Sequence, residues 1–337
     1  MKHIIGANPA PSPLQAKTLT VDDDSAGQRL DNYLMRHLKG VPKTHVYRII
    51  RSGEVRVNKG RAGADARVQA GDLVRLPPVR VSERMVEKSQ EMAAAALVAP
   101  ARSFVVLFED DHLLAIDKPA GVAVHGGSGV SFGVIEQLRM ARPQAPFLEL
   151  VHRLDRETSG ILLLAKKRSA LRQLQNQFRE RETGKTYLAL VVGQWPVNRK
   201  VLDKSLHKYL LPDGERRVRV VAKDDPDAMT ALTLAKVRHS GAGFTLLEVT
   251  IRTGRTHQIR VHLASEGFPI AGDDKYGDFE LNKSLQRTSA GPPLKRMFLH
   301  AWRLQFNHPI TGERQTLFAV LPPELEVFSN HVAPVSA

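Results

Sequence analysis

One loop concentrates the residues of this chain that could do acid–base or nucleophilic chemistry. Asp155 lies between Arg153 and Arg156, and apolar runs at 147–151 and 161–165 flank the loop. Such runs on either side of a polar, Gly-closed stretch predict two strands joined by a functional turn. Two guanidinium groups nearby favour the charged form of a carboxylic acid, so we expect Asp155 to be ionised and available as a nucleophile or an anchor. A surface ion pair in a loop would show the same local pattern.

The whole chain carries a large excess of positive charge. Its 337 residues include 49 Lys and Arg against 35 Asp and Glu, a formal net charge of +14. This excess predicts a polyanionic partner, with RNA or DNA as the first choice and an anionic membrane surface as the second. Apolar residues make up 42% of the chain, which suffices for a folded core, and the length suits one large domain plus a small one.

What the sequence lacks excludes several kinds of site. The chain has no cysteine, so disulfides, thiolate catalysis and Cys-based zinc sites are ruled out. No apolar run approaches the roughly 20 residues of a membrane-spanning helix, and residues 1–13 lack the apolar core of a signal peptide. We therefore expect a cytoplasmic protein without membrane contact. We predict no metal site, because His257 and His262 stand five residues apart rather than the four of a zinc-binding helix. We predict no cofactor, because the sequence has neither a cofactor-binding motif nor a thiol.

The order of predicted elements divides the chain into two domains. Apolar residues recur with helical spacing over 27–38 and 43–51, and strands at 55–57 and 71–77 enclose a turn at 58–60. The predicted divisions are a mobile tail at 1–20, a small domain at 21–79, a linker at 80–101, a large domain at 102–328 and a C-terminal tail at 329–337.

The larger predicted domain is rich in short strands. A helix is predicted at 169–179, and another begins with Thr256 as its N-cap and ends at Gly267. Strand-rich segments with occasional helices indicate an α+β fold built on a mixed, mostly antiparallel sheet. Strands are predicted at 104–108, 113–116, 147–151, 161–165, 187–192, 229–238, 244–252 and 314–319, and peripheral loops at 198–226 and 277–296.

Four segments carry a resemblance to a known enzyme family. The sequence H-R-L-D-R-E-T-S-G-I-L-L-L-A-K at 152–166 resembles the central motif of the RluA-type RNA pseudouridine synthases. Residues 117–125, 185–188 and 253–263 are similar to further motifs of that family. The resemblance covers residues 22–325, and it implies a pseudouridine synthase catalytic domain that isomerises uridine in RNA.

The resemblance also implies roles for individual residues. Asp155 matches the catalytic aspartate, Tyr187 matches an active-site tyrosine suited to stacking on uracil, and Arg260 is implied to reach Asp155 in a buried ion pair. Arg153 matches the residue suggested to fill the space that a flipped nucleotide vacates. Taken alone, Tyr187 would suit a core strand, and Arg255 would suit a phosphate contact. The other predicted contacts to substrate or RNA are Lys118, His125, Arg156, Arg255, His257, Gln258 and Leu263.

A second resemblance concerns the small domain. The patterns R-L-D-x-Y-L, I-R-x-G-x-V-x-V-N and G-D-x-V-x-L-P at 29–77 are similar to an S4 RNA-binding domain. A solvated basic face would have the same composition. The resemblance implies phosphate contacts, which give salt-dependent affinity rather than sequence choice, from Arg29, Arg36, Lys43, Arg48, Arg51 and Lys59.

The implied reaction needs no cofactor. The C1′–N1 glycosidic bond breaks, the uracil turns within the pocket and a C1′–C5 bond forms, so no oxidant, group donor or water is consumed. Asp155 would attack C1′ or remove a proton from C2′, and the sequence leaves both routes open. Residues 205–220 and 271–278 are closest to the large-subunit rRNA branch of the family. That likeness implies an enzyme acting on 23S rRNA during subunit assembly. The oligomeric state is not readable from the sequence, and a monomer is the default expectation.

Three other functions remain open at this point. A synthase for another rRNA or tRNA uridine would share every motif. A non-catalytic S4-type RNA-binding or ribosome-assembly factor would share the basic domain, but it would not need Asp155, Tyr187 and Arg260 together. A nucleoside hydrolase would use similar residues and release free uracil.

Overall fold

The computed structural model describes residues 15–22, 25–38, 41–79, 103–126, 132–212 and 214–334. The chain divides into two compact units, one up to Pro100 and one from Ala101 onward. The predicted linker lies outside the described residues, as do most of the predicted N-terminal tail and the last three residues. In the described part of the chain, no helix is both long and apolar enough to cross a bilayer.

The smaller unit packs two helices on a three-stranded antiparallel sheet. Helix α2 has the predicted bounds, and Leu34, Val46 and Ile49 form a core with Val74 of the sheet. The predicted mobile tail at 1–20 extends too far, because residues 17–20 form a strand that pairs with residues 73–76. The elements are β1 (Lys17–Thr20), α1 (Leu30–His37), α2 (Lys43–Arg51), β2 (Arg56–Val57) and β3 (Leu73–Leu76), with sheet order β1-β3-β2.

The larger unit is built on one ten-stranded sheet, with a separate two-stranded ribbon of β10 and β11. Its main path runs β4-β5-β7-β14-β8-β13-β12-β9, and all its pairs are antiparallel except that of β7 with β14. The predicted α+β fold is confirmed. The strands are β4 (Val105–Glu109), β5 (Leu113–Lys118), β6 (Glu149–Leu150), β7 (Ser159–Ala165), β8 (Gly184–Val192), β9 (Val201–Asp203), β10 (Ser205–Leu210), β11 (Arg216–Val221), β12 (Leu232–Gly241), β13 (Phe244–Ile251), β14 (Leu299–Asn307) and β15 (Arg314–Phe318).

Helices cover both faces of the sheet around β7. Leu162 and Leu164 pack with the helix at 134–141, whereas Leu163 packs with the helix at 168–179. A strand buried on both faces needs a continuous apolar run, which explains I-L-L-L-A at this position. The helices of the unit are α3 (Val134–Ala141), α4 (Arg168–Arg179), α5 (Gln258–Ser265), α6 (Phe279–Arg287) and α7 (Pro323–Val332).

Strand β14 occupies the centre of the sheet. Ala301 of β14 faces Gly160 of β7 on one side and Tyr187 of β8 on the other. Since neighbouring strands lie about 4.8 Å apart, β14 holds the start of β7 and the middle of β8 about 10 Å from each other. The sequence pattern did not predict this strand, because polar residues such as the buried His300 interrupt its apolar run.

Three other sequence predictions need correction. The predicted peripheral loops contain β9, β10, β11 and α6. Charged residues on the exposed faces of these elements interrupt the apolar pattern, so the residues that pack inward are not recognisable from the sequence. The predicted C-terminal tail begins inside α7, which runs to Val332 and buries that residue in the core. Helix α5 is capped by His257 rather than Thr256, while Gly267 follows its end as predicted.

Replacing Gly160 with alanine is expected to destabilise the larger unit strongly. Gly160 has a φ of +106°, and an added Cβ would collide with the backbone carbonyl oxygen of Ala301. Backbone strain and overpacking each cost about 1–3 kcal/mol, so we expect a loss of about 3 kcal/mol or more in the free energy of unfolding. Denaturant unfolding measures this loss.

Gly312→Ala is the matched control, because its φ is +74° and nothing lies within 4 Å of an added Cβ. It tests backbone strain alone, for which we expect a loss of about 1 kcal/mol. Equal losses in the two variants would contradict the close packing of β7 on β14.

Candidate active site

Asp155 lies in the loop between β6 and β7, on the wall of an open cleft of about 570 Å³. This cleft, here called the Asp155 cleft, is also lined by Tyr187 of β8 and by residues 254–260 at the start of α5. The Asp155 side chain is 21% exposed, so its carboxylate is shielded from bulk water but can be reached. Among the described residues that line the cleft, Asp155 supplies the one carboxylate.

Arg260 holds Asp155 from the first turns of α5. Its Nη1 lies 3.6 Å from Asp155 Oδ2, so the predicted ion pair is present, but Asp155 is not the main partner. Nε and Nη2 of Arg260 donate to the two carboxylate oxygens of Asp273, at 2.7 and 2.6 Å. Because this fork fixes the plane of the guanidinium group, the remaining Nη1 points toward Asp155.

The Arg260–Asp273 pair is almost entirely withdrawn from water, with side chains 3% and 1% exposed. Burial alone would raise the pKa of Asp273, but the hydrogen bonds and charge of Arg260 outweigh it and lower that pKa. The backbone N–H groups of Lys275 and Tyr276 also donate to Asp273. Asp273 is therefore a fixed anion that positions Arg260.

Tyr187 faces the same cleft from the middle of β8. Its ring is partly buried, and in the described part of the chain its hydroxyl has no recorded hydrogen-bond partner. Burial, followed by the negative charge of Asp155, raises the pKa of the Tyr187 phenol. The phenol is thus protonated at neutral pH, and the side chain combines an apolar ring with a free donor.

His257 approaches Asp155 from the residue before α5. It adopts a left-handed backbone conformation, with φ +52°, that few non-glycine residues occupy. Its Nδ1 lies 2.8 Å from the Tyr276 hydroxyl and its Nε2 lies 4.0 Å from Asp155 Oδ2. Since the Tyr276 oxygen accepts the N–H of Val218, Tyr276 can donate its own proton to His257. Burial lowers the pKa of His257, so the imidazole is neutral at pH 7.

The two arginines beside Asp155 in the sequence do not pair with it, contrary to our expectation. Arg156 donates to the carbonyl of Gly121 at 3.1 Å and pairs with Glu157 at 3.2 Å. Arg153 is exposed and lines the cleft. Arg156 turns toward Gly121 and Glu157, so the positive charge that faces Asp155 comes from Arg260 instead.

Lys118 is a structural anchor, and the prediction that it contacts substrate or RNA was wrong. The residue is fully buried. Its Nζ donates to the carbonyls of Pro119, Val122 and Arg156, at 2.8, 2.9 and 3.1 Å. Burial lowers its pKa to about 7. Lys118 therefore ties the turn after β5 to the loop that carries Asp155.

Gln258 and Leu263 are also buried, and of the two only Gln258 lines the Asp155 cleft. The Gln258 amide accepts from the hydroxyl of Thr253 and the N–H of Arg255, and donates to Leu232 and Thr233. Leu263 lies in the main hydrophobic core. Gln258 thus braces the cleft wall, and Leu263 packs the core beneath α5.

The remaining predicted contacts are accessible. Arg255 is exposed in the cleft lining, where its Nε also donates to the carbonyl of Thr230. His125 is exposed and lies outside the cleft lining. In the smaller unit, Arg29 pairs with the buried Asp31 at 2.7 Å. All six predicted phosphate contacts there are exposed: Arg29, Arg36, Lys43, Arg48, Arg51 and Lys59.

The histidine pair that could suggest a metal does not form a metal site. His262 is buried and bonded to the Thr233 hydroxyl and the Lys204 carbonyl, both at 2.9 Å. In the described part of the chain, one group of possible ligands does come together, with atoms within 4.8 Å of one another. It consists of His207, Asp225 and Asp227, none of which lines the Asp155 cleft.

Sequence reasoning missed two residues of the site, Asp273 and Tyr276. Both belong to A-G-D-D-K-Y-G-D at 271–278, which we used only to place the chain within its family. The signal that could have found them is physical: a buried arginine facing an accessible carboxylate needs a second, fully buried anion. The aspartates of this segment are candidates.

Asp273→Asn is expected to lower the free energy of unfolding by about 3 kcal/mol, because removing one partner of a buried pair leaves the other charge uncompensated. Denaturant unfolding at pH 7 measures the change. Asp274→Asn is the control, since Asp274 lies 3.5 Å from the same guanidinium group but its side chain is 70% exposed. For the control we expect a change below about 0.5 kcal/mol; similar losses in both variants would contradict the assigned role of Asp273.

Two family models match the chain. The model described as RNA pseudouridylate synthase matches residues 112–265, which include Asp155, Tyr187 and Arg260. The model described as S4 domain matches residues 28–74 of the smaller unit.

Characterised relatives and solved structures agree with these models. The ribosomal large subunit pseudouridine synthase C of Escherichia coli (strain K12) is 54% identical over 298 residues, covering 88% of this chain and 90% of the relative. That of Pasteurella multocida (strain Pm70) is 53% identical over 310 residues, 92% of each chain. The structure of human RNA pseudouridylate synthase domain containing 4 is 28% identical, with a TM-score of 0.55 over 73% of this chain and 97% of that one.

The two family models match parts of both units, and the pseudouridylate synthase model includes every residue that lines the Asp155 cleft except Leu299. More than half of the aligned residues are identical to those of each relative, over most of both chains. The predicted family is therefore confirmed. This chain belongs to the RNA pseudouridylate synthase family.

Proposed function

We propose that this synthase isomerises specific uridines of 23S large-subunit rRNA to pseudouridine, with Asp155 acting on a flipped-out nucleotide. The observation that carries the catalytic assignment is that Asp155 is the one carboxylate among the described residues of its cleft. The relatives' printed names, which specify the ribosomal large subunit, support the choice of RNA.

A single carboxylate suits isomerisation better than hydrolysis. Glycoside hydrolases generally use two carboxyl groups, one of which protonates the departing group. In pseudouridine formation the uracil stays in the pocket, and the C5 proton that is lost is balanced by the proton gained at N1. A second acid to expel the base is therefore unnecessary.

Asp155 would begin the reaction in one of two ways. Its carboxylate attacks C1′ as a nucleophile while the C1′–N1 bond breaks, or it takes a proton from C2′ to give a glycal. Arg260 orients the carboxylate by its Nη1, which leaves the other oxygen of Asp155 free to face the sugar. Both routes require the nucleotide to leave its helix, because C1′ of a stacked residue is inaccessible.

Tyr187 would hold the detached uracil. Its ring lines the cleft across from the Asp155 loop, and stacking against a base stabilises an extruded nucleotide without depending on sequence. Its protonated hydroxyl adds a hydrogen-bond donor at a position where the uracil carbonyls pass as the base turns. His257 is a second neutral ring on the same wall.

The smaller unit would supply general affinity for RNA. Its exposed arginines and lysines suit phosphate contacts, which bind many RNA shapes with a strong dependence on salt. We further propose a monomer that works in the cytoplasm, where large subunits are assembled.

Asp155→Asn is expected to abolish modification, with a rate at least about 10³-fold below wild type, because the amide neither attacks C1′ nor accepts a proton from C2′. Carbodiimide-dependent reverse-transcription stops map pseudouridine in rRNA from a deletion strain complemented with each variant. We expect wild type and the control Asp111→Asn, an exposed acid in the β4–β5 turn, to restore a defined set of 23S stops. Stops restored by Asp155→Asn would refute the catalytic assignment, and stops in tRNA or 16S rRNA instead would refute the target.

Arg153→Ala is expected to raise KM for folded rRNA about tenfold or more, with little change for an unpaired oligonucleotide of the same sequence. Arg153 is exposed at the cleft, where it can replace the stacking lost when the nucleotide flips out of a helix. Steady-state kinetics on the two substrates measures the difference. Equal increases in KM would count against the space-filling role.

A further inference from the structure

Lys185 is a buried cation that has no role in the proposed reaction. It lies two residues before Tyr187 on β8, so both side chains project from the same face of the strand. Lys185 is 8% exposed, yet in the described part of the chain its Nζ has no recorded hydrogen bond or ion pair. Its observed contact is with the Phe178 ring, 5.5 Å from Nζ to the ring centre.

Lys185 borders a groove of about 1070 Å³, here called the Lys185 groove. The groove adjoins the Asp155 cleft, because Arg153, Tyr187, Ile251, Gly254 and Arg255 line both. No carboxylate is found among the described residues that line it, whereas six cations are: Arg153, Arg179, Arg181, Lys185, Arg252 and Arg255.

The rest of the wall adds no negative charge, so the cations make the groove selective for an anion. His152 stacks on Phe178 with ring centres 4.9 Å apart, and its Nε2 accepts the N–H of Leu163. Burial lowers the pKa of His152 to about 4, so this ring is neutral at pH 7. Two flat, uncharged rings thus shield Lys185 from water on one side, which strengthens its attraction for a negative group.

A buried ammonium group without a counter-ion is costly for the folded protein. Burial, followed by the charge of Arg181, lowers the pKa of Lys185, as expected for a cation that lacks an anionic partner. Arg179 is partly neutralised by Glu180 at 3.0 Å, but Glu180 does not line the groove. No carboxylate among the described residues that line the groove pairs with Lys185, which leaves its charge available to an anionic ligand.

We propose that the Lys185 groove is a phosphate-binding subsite that holds the RNA backbone beside the flipped uridine, with Lys185 as its central cation. The inference rests on the proposed function, since it takes the ligand to be a phosphodiester of the substrate RNA. A nucleotide in the Asp155 cleft has a backbone phosphate on each side, and the shared lining residues place the groove within reach of one of them. Phosphate binding there would set the direction in which the strand crosses the cleft.

Lys185→Met tests the proposal through RNA binding. Filter binding to a 23S rRNA transcript over a series of salt concentrations gives the slope of log Kd against log salt. We expect Lys185→Met to weaken binding about tenfold at low salt and to reduce the slope by about 0.7–0.9, the loss of one phosphate contact. Lys185→Arg should keep the slope, as should the control Lys283→Met on the exposed face of α6. An unchanged slope in Lys185→Met would overturn the proposal.

The same variant has an expected effect without RNA that separates a binding role from a structural one. Replacing an uncompensated buried cation by an apolar side chain of similar length should raise Tm, although a cation–π contact is lost. A lysine that supports the fold would behave in the opposite way, so a lowered Tm or a failure of Lys185→Met to fold would also overturn the proposal.

An uncharged backbone linkage placed at one position of the RNA tests which phosphate Lys185 contacts. In an oligonucleotide spanning a uridine that wild type converts, a single methylphosphonate beside that uridine should weaken wild-type binding and have no further effect on Lys185→Met. Additive losses would show that Lys185 contacts another group. Failure of the proposed function is recognised separately, because wild type would then form no pseudouridine in the 23S transcript while its salt slope could still be measured.

Discussion

The site depends on how one buried guanidinium group divides its donors between two carboxylates. Arg260 gives its fork to Asp273, which is fully buried, and turns Nη1 toward Asp155, which faces the cleft. The short, two-point contact with Asp273 satisfies the buried charge. The longer contact at 3.6 Å orients Asp155 without occupying both of its oxygens. A catalytic carboxylate that received the whole fork would be held more tightly but would have less freedom to react.

The position of that pair follows from the centre of the sheet. Ala301 of β14 lies between Gly160, which follows the Asp155 loop, and Tyr187. Strands buried on both faces form the least mobile part of an α+β domain, so backbone pairing fixes the distance between Tyr187 and the strand that follows the Asp155 loop. Lys118 adds a third constraint, since it bonds the carbonyl of Arg156 within the loop itself.

The Asp155 cleft and the Lys185 groove differ in whether their charged residues have partners. In the Asp155 cleft each buried charge has a partner, which suits a group that must keep its orientation. In the Lys185 groove the cations outnumber their partners among the described residues, which suits a surface completed by the substrate. Proteins commonly give up some stability at such sites in return for binding, and the net charge of +14 is consistent with that arrangement.

The sequence by itself determined the family, the proposed reacting group and most regular elements. Helix α2 and strands such as β7 follow from local apolar periodicity, and the segment at 152–166 identified Asp155 through its resemblance. Only the tertiary structure decided which charges meet Asp155. Arg153 and Arg156 are close to Asp155 in the chain but form no ion pair with it, whereas Arg260 and Asp273 reach the site from α5 and the loop that follows it.

The same distinction explains the residues whose roles changed. Lys118, Gln258 and Leu263 belong to functional motifs, yet all three are buried and serve the framework. Strand β14 was not predicted because its polar residues find partners on other segments of the chain, as His300 does with Ser159 and with the carbonyl of Ala319. Local patterns report on periodicity and turn chemistry, whereas the partner of a buried polar group is selected by packing between segments far apart in the chain.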